Sequence, residues 1–201
     1  MLITILGATG MAGSRVADEA LRRGHKVKAL ARRASAADAR DGVTARDIDA
    51  NQGDLASEFT GADVVVSAIH FVDVPAETII SAAKRAGVRL IVVGGAGSLY
   101  VAPGVQLVDA PIFPEAFKPE ALAGRAFLGA LRAEPDLDWS FMSPSAYFEP
   151  GERTGVFRIG GDDLLAGADG QSRISAEDFA IALLDEIETP QYSRQRFTVG
   201  Y

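Results

Sequence analysis

Three glycines at a spacing of three residues open the sequence: Gly7, Gly10 and Gly13 follow a short apolar run and precede an amphipathic segment. Gly7 permits a tight turn, Gly10 lets the backbone approach a pyrophosphate, and Gly13 allows a helix to pack closely on a strand. The start of that helix would direct free N–H groups and a positive dipole end at the phosphates. A glycine triplet alone fits an ordinary tight turn, but with both flanks present the run predicts dinucleotide binding.

The residues about 20 positions further on bear on which dinucleotide is bound. A site selective for NAD usually has Asp or Glu there, to bind the ribose 2′-hydroxyl. This chain has Ala31, Arg32 and Arg33 instead. Two guanidinium groups suit a 2′-phosphate through charge-assisted hydrogen bonds, although a solvated basic pair at a strand end has the same sequence. We therefore expect NADP as the preferred cofactor, with NAD as the alternative.

Other side chains that could act as acids, bases or ligands are few. The chain has two histidines and no cysteine, which excludes disulfides, thiolate nucleophiles and cysteine metal sites. His25 falls in a predicted turn and His70 at a strand end, so we predict no metal site. Glu177 and Asp178 follow Ser175, which is typical of a helix N-cap, and we interpret both carboxylates as structural.

The elements that must position these residues alternate between strands and helices. Apolar, β-branched runs predict strands at 2–6, 26–31, 43–48, 63–69, 89–93 and 138–142, with shorter pieces at 156–159, 172–174 and 196–199. Helical spacing of apolar residues predicts helices at 11–23, 76–86, 120–133 and 176–187. This alternation is typical of an α/β fold, and we predict a Rossmann-type, doubly wound and mostly parallel sheet.

The length of 201 residues fits one domain, so residues 1–201 are predicted to form a single dinucleotide-binding unit. The short elements after residue 150 lead us to expect a small C-terminal cap, at 150–201, on the substrate side. Four prolines between residues 98 and 119 predict a long ordered loop beside the site.

Composition excludes several classes of protein. The net charge of −7 opposes binding to nucleic acid, which usually requires a basic face. No uncharged apolar run reaches the ~18 residues of a membrane span, and the first residues lack the features of a signal peptide. We therefore expect a cytoplasmic protein without nucleic-acid or membrane partners, and the sequence leaves its oligomeric state open.

Several segments resemble a known family. Residues 7–13, 29–32, 61–68 and 92–99 resemble the atypical short-chain dehydrogenase/reductases. Residues 138–144, 150–155 and 172–180 are similar to the NADH-flavin reductase group, a neighbour of the NmrA-like and biliverdin reductase B-like proteins. The resemblance covers nearly the whole chain and implies an NAD(P)-binding Rossmann domain.

The resemblance also implies a site along the carboxyl edge of the sheet, where doubly wound folds bind their ligands. It places the pyrophosphate at Gly7, Ala8, Thr9, Gly10, Met11, Ala12 and Gly13, the adenosine at Arg32, Arg33, Asp47 and Ile48, and the nicotinamide along Ser67, Ala68, Ile69, Gly94, Gly95, Ser143 and Pro144. A small planar redox substrate is expected near His70, Lys118, Tyr147 and Phe148, for each of which a structural role is the competing interpretation.

One difference from the family's sequence pattern limits the reactions that we expect. The Tyr-x-x-x-Lys of ordinary short-chain dehydrogenases is absent, since Ile80 and Pro114 stand four residues before Lys84 and Lys118. A flavin or quinone accepts a hydride with solvent protonation, so positioning against the nicotinamide suffices. We expect an NAD(P)H-dependent reductase of such an acceptor, with no catalytic residue assigned. The alternatives are a noncatalytic NADP(H) sensor, or an epimerase or dehydratase, which would need an acid–base pair that the sequence does not locate.

Overall fold

The structure, a computed structural model, describes residues 1–37 and 40–201. Its strands are β1 Leu2–Leu6, β2 Lys26–Ala31, β3 Val43–Asp47, β4 Val64–Ser67, β5 Arg89–Val93, β6 Tyr100–Ala102, β7 Val105–Gln106, β8 Trp139–Ser143, β9 Tyr147–Glu149, β10 Arg158–Gly160, β11 Arg173–Ser175 and β12 Gln195–Gly200. Its α-helices are α1 Met11–Arg22, α2 Ala34–Ala37, α3 Leu55–Phe59, α4 Ala76–Ala86, α5 Lys118–Arg132 and α6 Ala176–Glu188.

The described residues form a central sheet of eight strands in the order β10-β12-β8-β5-β4-β1-β2-β3. Every neighbouring pair in it is parallel except β10 and β12. Parallel neighbours require crossover connections, and these place helices on both faces. The predicted Rossmann-type, doubly wound α/β fold is confirmed.

Two apolar layers enclose the sheet. Helices α1 and α6 cover one face with residues such as Val16, Phe179 and Leu183, and α3, α4 and α5 cover the other with residues such as Phe59 and Ile79. Central strands are buried on both faces, which is why they appear in the sequence as continuous apolar runs. No helix among the described residues combines the length and the apolar character needed to cross a bilayer.

The proline-rich segment has more regular structure than the predicted loop. It contains the β6–β7 hairpin and three short 3-10 helices, at Ala96–Ser98, Leu107–Asp109 and Glu115–Phe117. Pro119 belongs to α5, because proline is tolerated in a first helical turn, where its missing N–H has no intrahelical partner. The segment therefore ends earlier than predicted, and α5 starts beside the sheet edge.

The C-terminal segment 150–201 does not form the predicted cap as one piece. Strand β12 pairs in parallel with β8 inside the main sheet, and its Phe197 and Val199 are buried in the core. Helix α6 packs on α1 in the layer beneath, and ten of its 13 residues are buried there. Only β11, paired with β9, forms a small two-stranded sheet of its own. Most of the segment thus completes the Rossmann domain.

Buried carboxylates attach the extended segment before β10 to the helices below it. Asp178, which is fully buried, accepts hydrogen bonds from Thr154 Oγ1 at 2.5 Å and from the Gly155 N–H at 2.8 Å. Glu19 of α1 is also buried and accepts bonds from Arg153 and Arg23, each at 2.9 Å. Burial opposes ionisation of Glu19, but the bonds from these two guanidinium groups outweigh it and hold the pKa of its carboxyl below the usual range.

We expect Glu19→Gln to lower the free energy of unfolding at pH 7 by about 1–3 kcal/mol, because charge-assisted bonds to both arginines are lost. A carboxyl whose pKa is depressed by folding stabilises the protein above its unfolded pKa, and this contribution is lost as pH falls through the folded pKa. The wild type should therefore lose more stability than Glu19→Gln between neutral pH and the pH range below 4.5, the usual pKa of the group.

Thermal and urea unfolding across this pH range test the expectation, with Asp18→Asn on the same helix as the control. Asp18 is half exposed and pairs with Arg40, so its removal should cost at most about 1 kcal/mol. Equal effects of the two substitutions would contradict a stabilising role for the buried cluster.

Candidate functional site

The site lies where the order of the strands reverses. Strand β1 has β2 on one side and β4 on the other, so the connections that follow β1 and β4 diverge at the carboxyl ends of these strands. Such a switch point is where open α/β sheets bind ligands. A cleft of about 990 Å³ opens there, at the upper end of the volumes usual for small-molecule sites.

The glycine turn is held by close packing. Gly7 has φ +87°, and a Cβ placed there would lie 2.5 Å from the Ala68 carbonyl oxygen. A Cβ on Gly13 would overlap the Gly7 carbonyl oxygen, so α1 can approach β1 only with glycine at this position. Both glycines are therefore required by the fold itself, whatever the cleft binds.

Gly10 differs from Gly7 and Gly13 because the fold does not require glycine at this position. Its φ of −77° suits any residue, and a Cβ would lie 3.3 Å from the Gly7 carbonyl oxygen and 3.9 Å from the Ala68 carbonyl oxygen, without overlapping either. Gly10 is the N-cap of α1, and within the described residues no side chain caps this helix and no acidic residue occupies its first turn. Open space above uncapped N–H groups fits a pyrophosphate.

The end of the cleft beyond β2 is basic. Arg32 and Arg33 line it, and both are exposed. Neither side chain makes a hydrogen bond or ion pair with the rest of the chain that the structure describes. Their donors are therefore free for an anionic ligand, in contrast to the paired arginines of α1 and β5.

Asp47 and Ile48 take different positions at this end. The Asp47 carboxylate accepts hydrogen bonds from the Ser35 N–H at 2.8 Å and from the Ser35 hydroxyl at 2.7 Å. These bonds, the backbone one first, hold the pKa of the Asp47 carboxyl below its usual range. Asp47 anchors the start of α2 and does not line the cleft, whereas Ile48 does.

A turn after β3 lines the cleft and was missed from the sequence. It contributes Asp49, Ala50 and Asn51, and the Asp49 carboxylate accepts the Asn51 N–H at 3.0 Å. The Asn51 side chain reaches the Asp73 carbonyl oxygen at 2.9 Å and so joins this turn to the loop after β4. An Asp-x-Asn sequence at a strand end is a turn signal that could have indicated it.

The opposite end of the cleft has an aromatic floor. The Phe71 ring stacks on Phe141 at a centroid distance of 6.0 Å and meets Phe127 edge-on at 5.6 Å. A Cβ on Gly124 would lie 2.8 Å from Phe71, and a Cβ on Gly94 would overlap Phe141. Glycine at 94 and 124 thus makes room for the aromatic side chains that close the cleft from below.

Helix α5 supplies one wall that the sequence did not assign. Phe117, Glu120, Ala121, Gly124 and Arg125 all line the cleft, on one face at helical spacing. Glu120 Oε1 accepts the Phe71 N–H at 2.8 Å, and Oε2 accepts the Val72 N–H at 3.1 Å. The carboxylate therefore ties α5 to the loop after β4.

The residues predicted for the pyrophosphate, the nicotinamide and the substrate divide into three groups. Ala68, Ile69, His70, Gly94, Gly95, Pro144 and Phe148 line the cleft, as do Gly7, Thr9, Gly10, Met11 and Ala12 at the phosphate end. Ala8, Gly13, Ser67 and Ser143 are buried behind the lining. Tyr147 and Lys118 do not line it: Tyr147 is exposed elsewhere, and Lys118 pairs with Glu115 at 2.5 Å.

Comparison with known proteins agrees with this geometry. The family model described as NAD(P)H-binding matches residues 7–190. The chain is 39% identical to the uncharacterised protein YwnB of Bacillus subtilis, over 99% of this chain and 98% of that one. A second match is a Bacteroides thetaiotaomicron structure provisionally named an epimerase, with 39% identity, a TM-score of 0.93 and coverage of 100% and 96%.

A third similar structure is a Streptococcus pneumoniae protein provisionally named an NADH-flavin reductase. It is 32% identical, with a TM-score of 0.82 and coverage of 100% of this chain and 99% of that one. The two structural matches extend over the whole Rossmann domain, including the C-terminal elements that complete the sheet. The chain belongs to the NAD(P)H-binding family, within the atypical short-chain dehydrogenase/reductase group.

Proposed function

We propose that the protein is an NADPH-dependent reductase that transfers a hydride to a flavin, quinone or similar planar acceptor. The observation that carries this proposal is one continuous cleft with two chemically different ends. One end has the glycine turn and the free guanidinium groups of Arg32 and Arg33, and the other has an aromatic floor and wall. This arrangement suits an anionic dinucleotide and a flat apolar ring side by side.

The residues of the first end fit a dinucleotide. The N–H groups at the start of α1 would face the pyrophosphate, in the space that Gly10 leaves open. Arg32 and Arg33 would surround a 2′-phosphate, which favours NADP over NAD. When bound, the reduced nicotinamide supplies the hydride.

The second end orients an acceptor without offering a phenolic acid. The chain has four tyrosines, and none is among the residues that line the cleft. Phe71, Phe117 and Phe148 present apolar surface there, against which a planar ring can stack. Acceptors that take a hydride into a conjugated ring need such positioning more than they need a tyrosine.

Epimerase or dehydratase chemistry is a second candidate. It is favoured by the approach of His70 to Glu120, which supplies an acid–base pair inside the cleft. The name of the Bacteroides relative points the same way. A noncatalytic NADP(H) sensor, the remaining alternative, would bind the dinucleotide without turnover.

Oxidation of NADPH, followed by its absorbance with FMN and a panel of quinones, tests the proposal. We expect turnover above the uncatalysed rate with at least one acceptor. Tight NADPH binding with no turnover across the panel would contradict it and favour the sensor.

We expect Gly10→Asp to weaken NADPH binding by about a hundredfold or more, because a side chain and a negative charge enter the pyrophosphate space. The fold should persist, since the backbone at Gly10 is ordinary and a Cβ has room. Calorimetry and thermal unfolding measure the two effects. Gly129→Asp, at an exposed position with open space around the Cβ, is the matched control and should bind NADPH normally.

We expect Arg32→Ala, alone or with Arg33→Ala, to weaken NADPH binding by roughly ten- to a hundredfold, the value of one charge-assisted hydrogen bond. NADH lacks the 2′-phosphate and should bind almost as before. The ratio of the affinity for NADPH to the affinity for NADH should therefore fall. Arg46→Ala, an exposed arginine on β3 outside the cleft lining, is the control. Equal losses for both nucleotides, or equal affinities in the unmutated protein, would show that the arginines do not select the cofactor.

A further inference from the structure

His70 and Glu120 are 50 residues apart in the sequence and meet in the cleft. His70 Nδ1 lies 3.4 Å from Glu120 Oε1, and both residues line the cleft wall beyond the glycine turn. We propose that His70 is a catalytic general acid, held by Glu120, and that the acceptor is a quinone or related conjugated carbonyl that receives its proton on oxygen. This inference rests on the proposed reductase function.

The orientation of the imidazole supports this role. Contact of Nδ1 with the Glu120 carboxylate leaves Nε2 on the opposite side of the ring, and within the described residues Nε2 has no partner. The His70 side chain is 79% exposed, so solvent can return the proton after each turnover. In a histidine, the hydrogen bond of one ring nitrogen determines which proton the other can give or take.

Glu120 is itself fixed in place. Its two oxygens accept the N–H groups of Phe71 and Val72, the residues that directly follow His70. The same carboxylate therefore holds the backbone that carries His70 and faces the imidazole. We treat Glu120 as a positioning residue, because it acts on the acceptor only through His70.

His25, the other histidine of the chain, has a structural role and serves as a comparison for His70. Its Nε2 pairs with Glu188 at 2.8 Å and its Nδ1 faces the N-terminal amine at 3.5 Å, so both ring nitrogens are engaged. Its side chain is only 12% exposed and lies outside the cleft. Of the two histidines, His70 is the one that lines the cleft and has a ring nitrogen without a partner among the described residues.

The proposed step balances in atoms and electrons. The acceptor gains a hydride, with its electron pair, from the reduced dinucleotide, which becomes oxidised. A proton leaves Nε2 of the His70 imidazolium as a new O–H bond forms on the acceptor, so a quinone becomes a hydroquinone. The neutral imidazole then takes a proton from water. A reduced flavin can leave as its anion, so a flavin depends less on this proton.

The kinetic test compares 1,4-naphthoquinone with FMN as acceptors for NADPH. General acid catalysis contributes about a hundredfold or more, so His70→Gln should lower the ratio of kcat with the quinone to kcat with FMN by about that factor. Glu120→Gln keeps an acceptor for one of the two N–H groups, places an amide NH2 against the other and removes the charge. It should lower the same ratio less, and it should add nothing to His70→Gln in the double variant. His25→Gln is the control and should leave the ratio unchanged.

A spectroscopic test uses the fact that the chain has only two histidines. Imidazole NMR signals are assigned by comparing the wild type with His70→Gln, and 1,4-naphthoquinone is added to the NADP⁺ complex, which cannot turn over. We expect the His70 signals to move and those of His25 to stay. Unmoved His70 signals would contradict contact with the acceptor.

The outcomes separate this inference from the function on which it rests. Quinone reduction that His70→Gln does not slow, or reduction of FMN without reduction of the quinone, overturns the role of His70 and leaves the reductase proposal standing. No reduction of either acceptor by the wild type overturns both.

Discussion

The close approach of α1 to the ends of β1 and β4 is the constraint on which the rest of the structure depends. A Cβ on Gly13 would overlap the Gly7 carbonyl oxygen, and one on Gly7 would lie 2.5 Å from the Ala68 carbonyl oxygen. Because α1 packs this closely, its N-terminus points into the space between the diverging connections that follow β1 and β4. Gly7 and Gly13 thus satisfy the packing of the core, and Gly10 leaves space in the cleft beside them.

Buried ion pairs make the C-terminal elements part of this framework. Glu186 of α6 is buried and pairs with Arg89 of β5, and Ser140 of β8 donates to the same carboxylate at 3.0 Å. Glu19 holds the segment before β10 through its ion pair with Arg153. Asp178 holds the same segment through hydrogen bonds from the uncharged groups of Thr154 and Gly155. Each pair joins elements distant in sequence, so removing one partner would leave a charge stranded in the protein interior. These contacts keep β12 and α6 in the domain that carries the cleft.

The two ends of the cleft are built from different kinds of structure. The dinucleotide end is made largely from backbone groups and strand ends, where glycine spacing and a basic pair are enough. The opposite end depends on the packing of α5 against the loop after β4, through Glu120 and the contact of Phe71 with Phe127. Variation in α5 would therefore alter the opposite end of the cleft while leaving the glycine turn intact.

The sequence by itself determined most of the elements and the position of the glycine turn. Buried parallel strands and glycine turns leave local signals, so the strands from β1 to β5 and the run from Gly7 to Gly13 were predicted within one or two residues, apart from the shorter β4. Only the tertiary structure placed β12 in the sheet, tied Asp47 to Ser35, and joined His70 to Glu120. Such contacts link positions far apart in the chain, and their geometry follows from how helices pack on the sheet. No local pattern of residue types encodes that packing, which is why the contact between His70 and Glu120 became visible only in the folded protein.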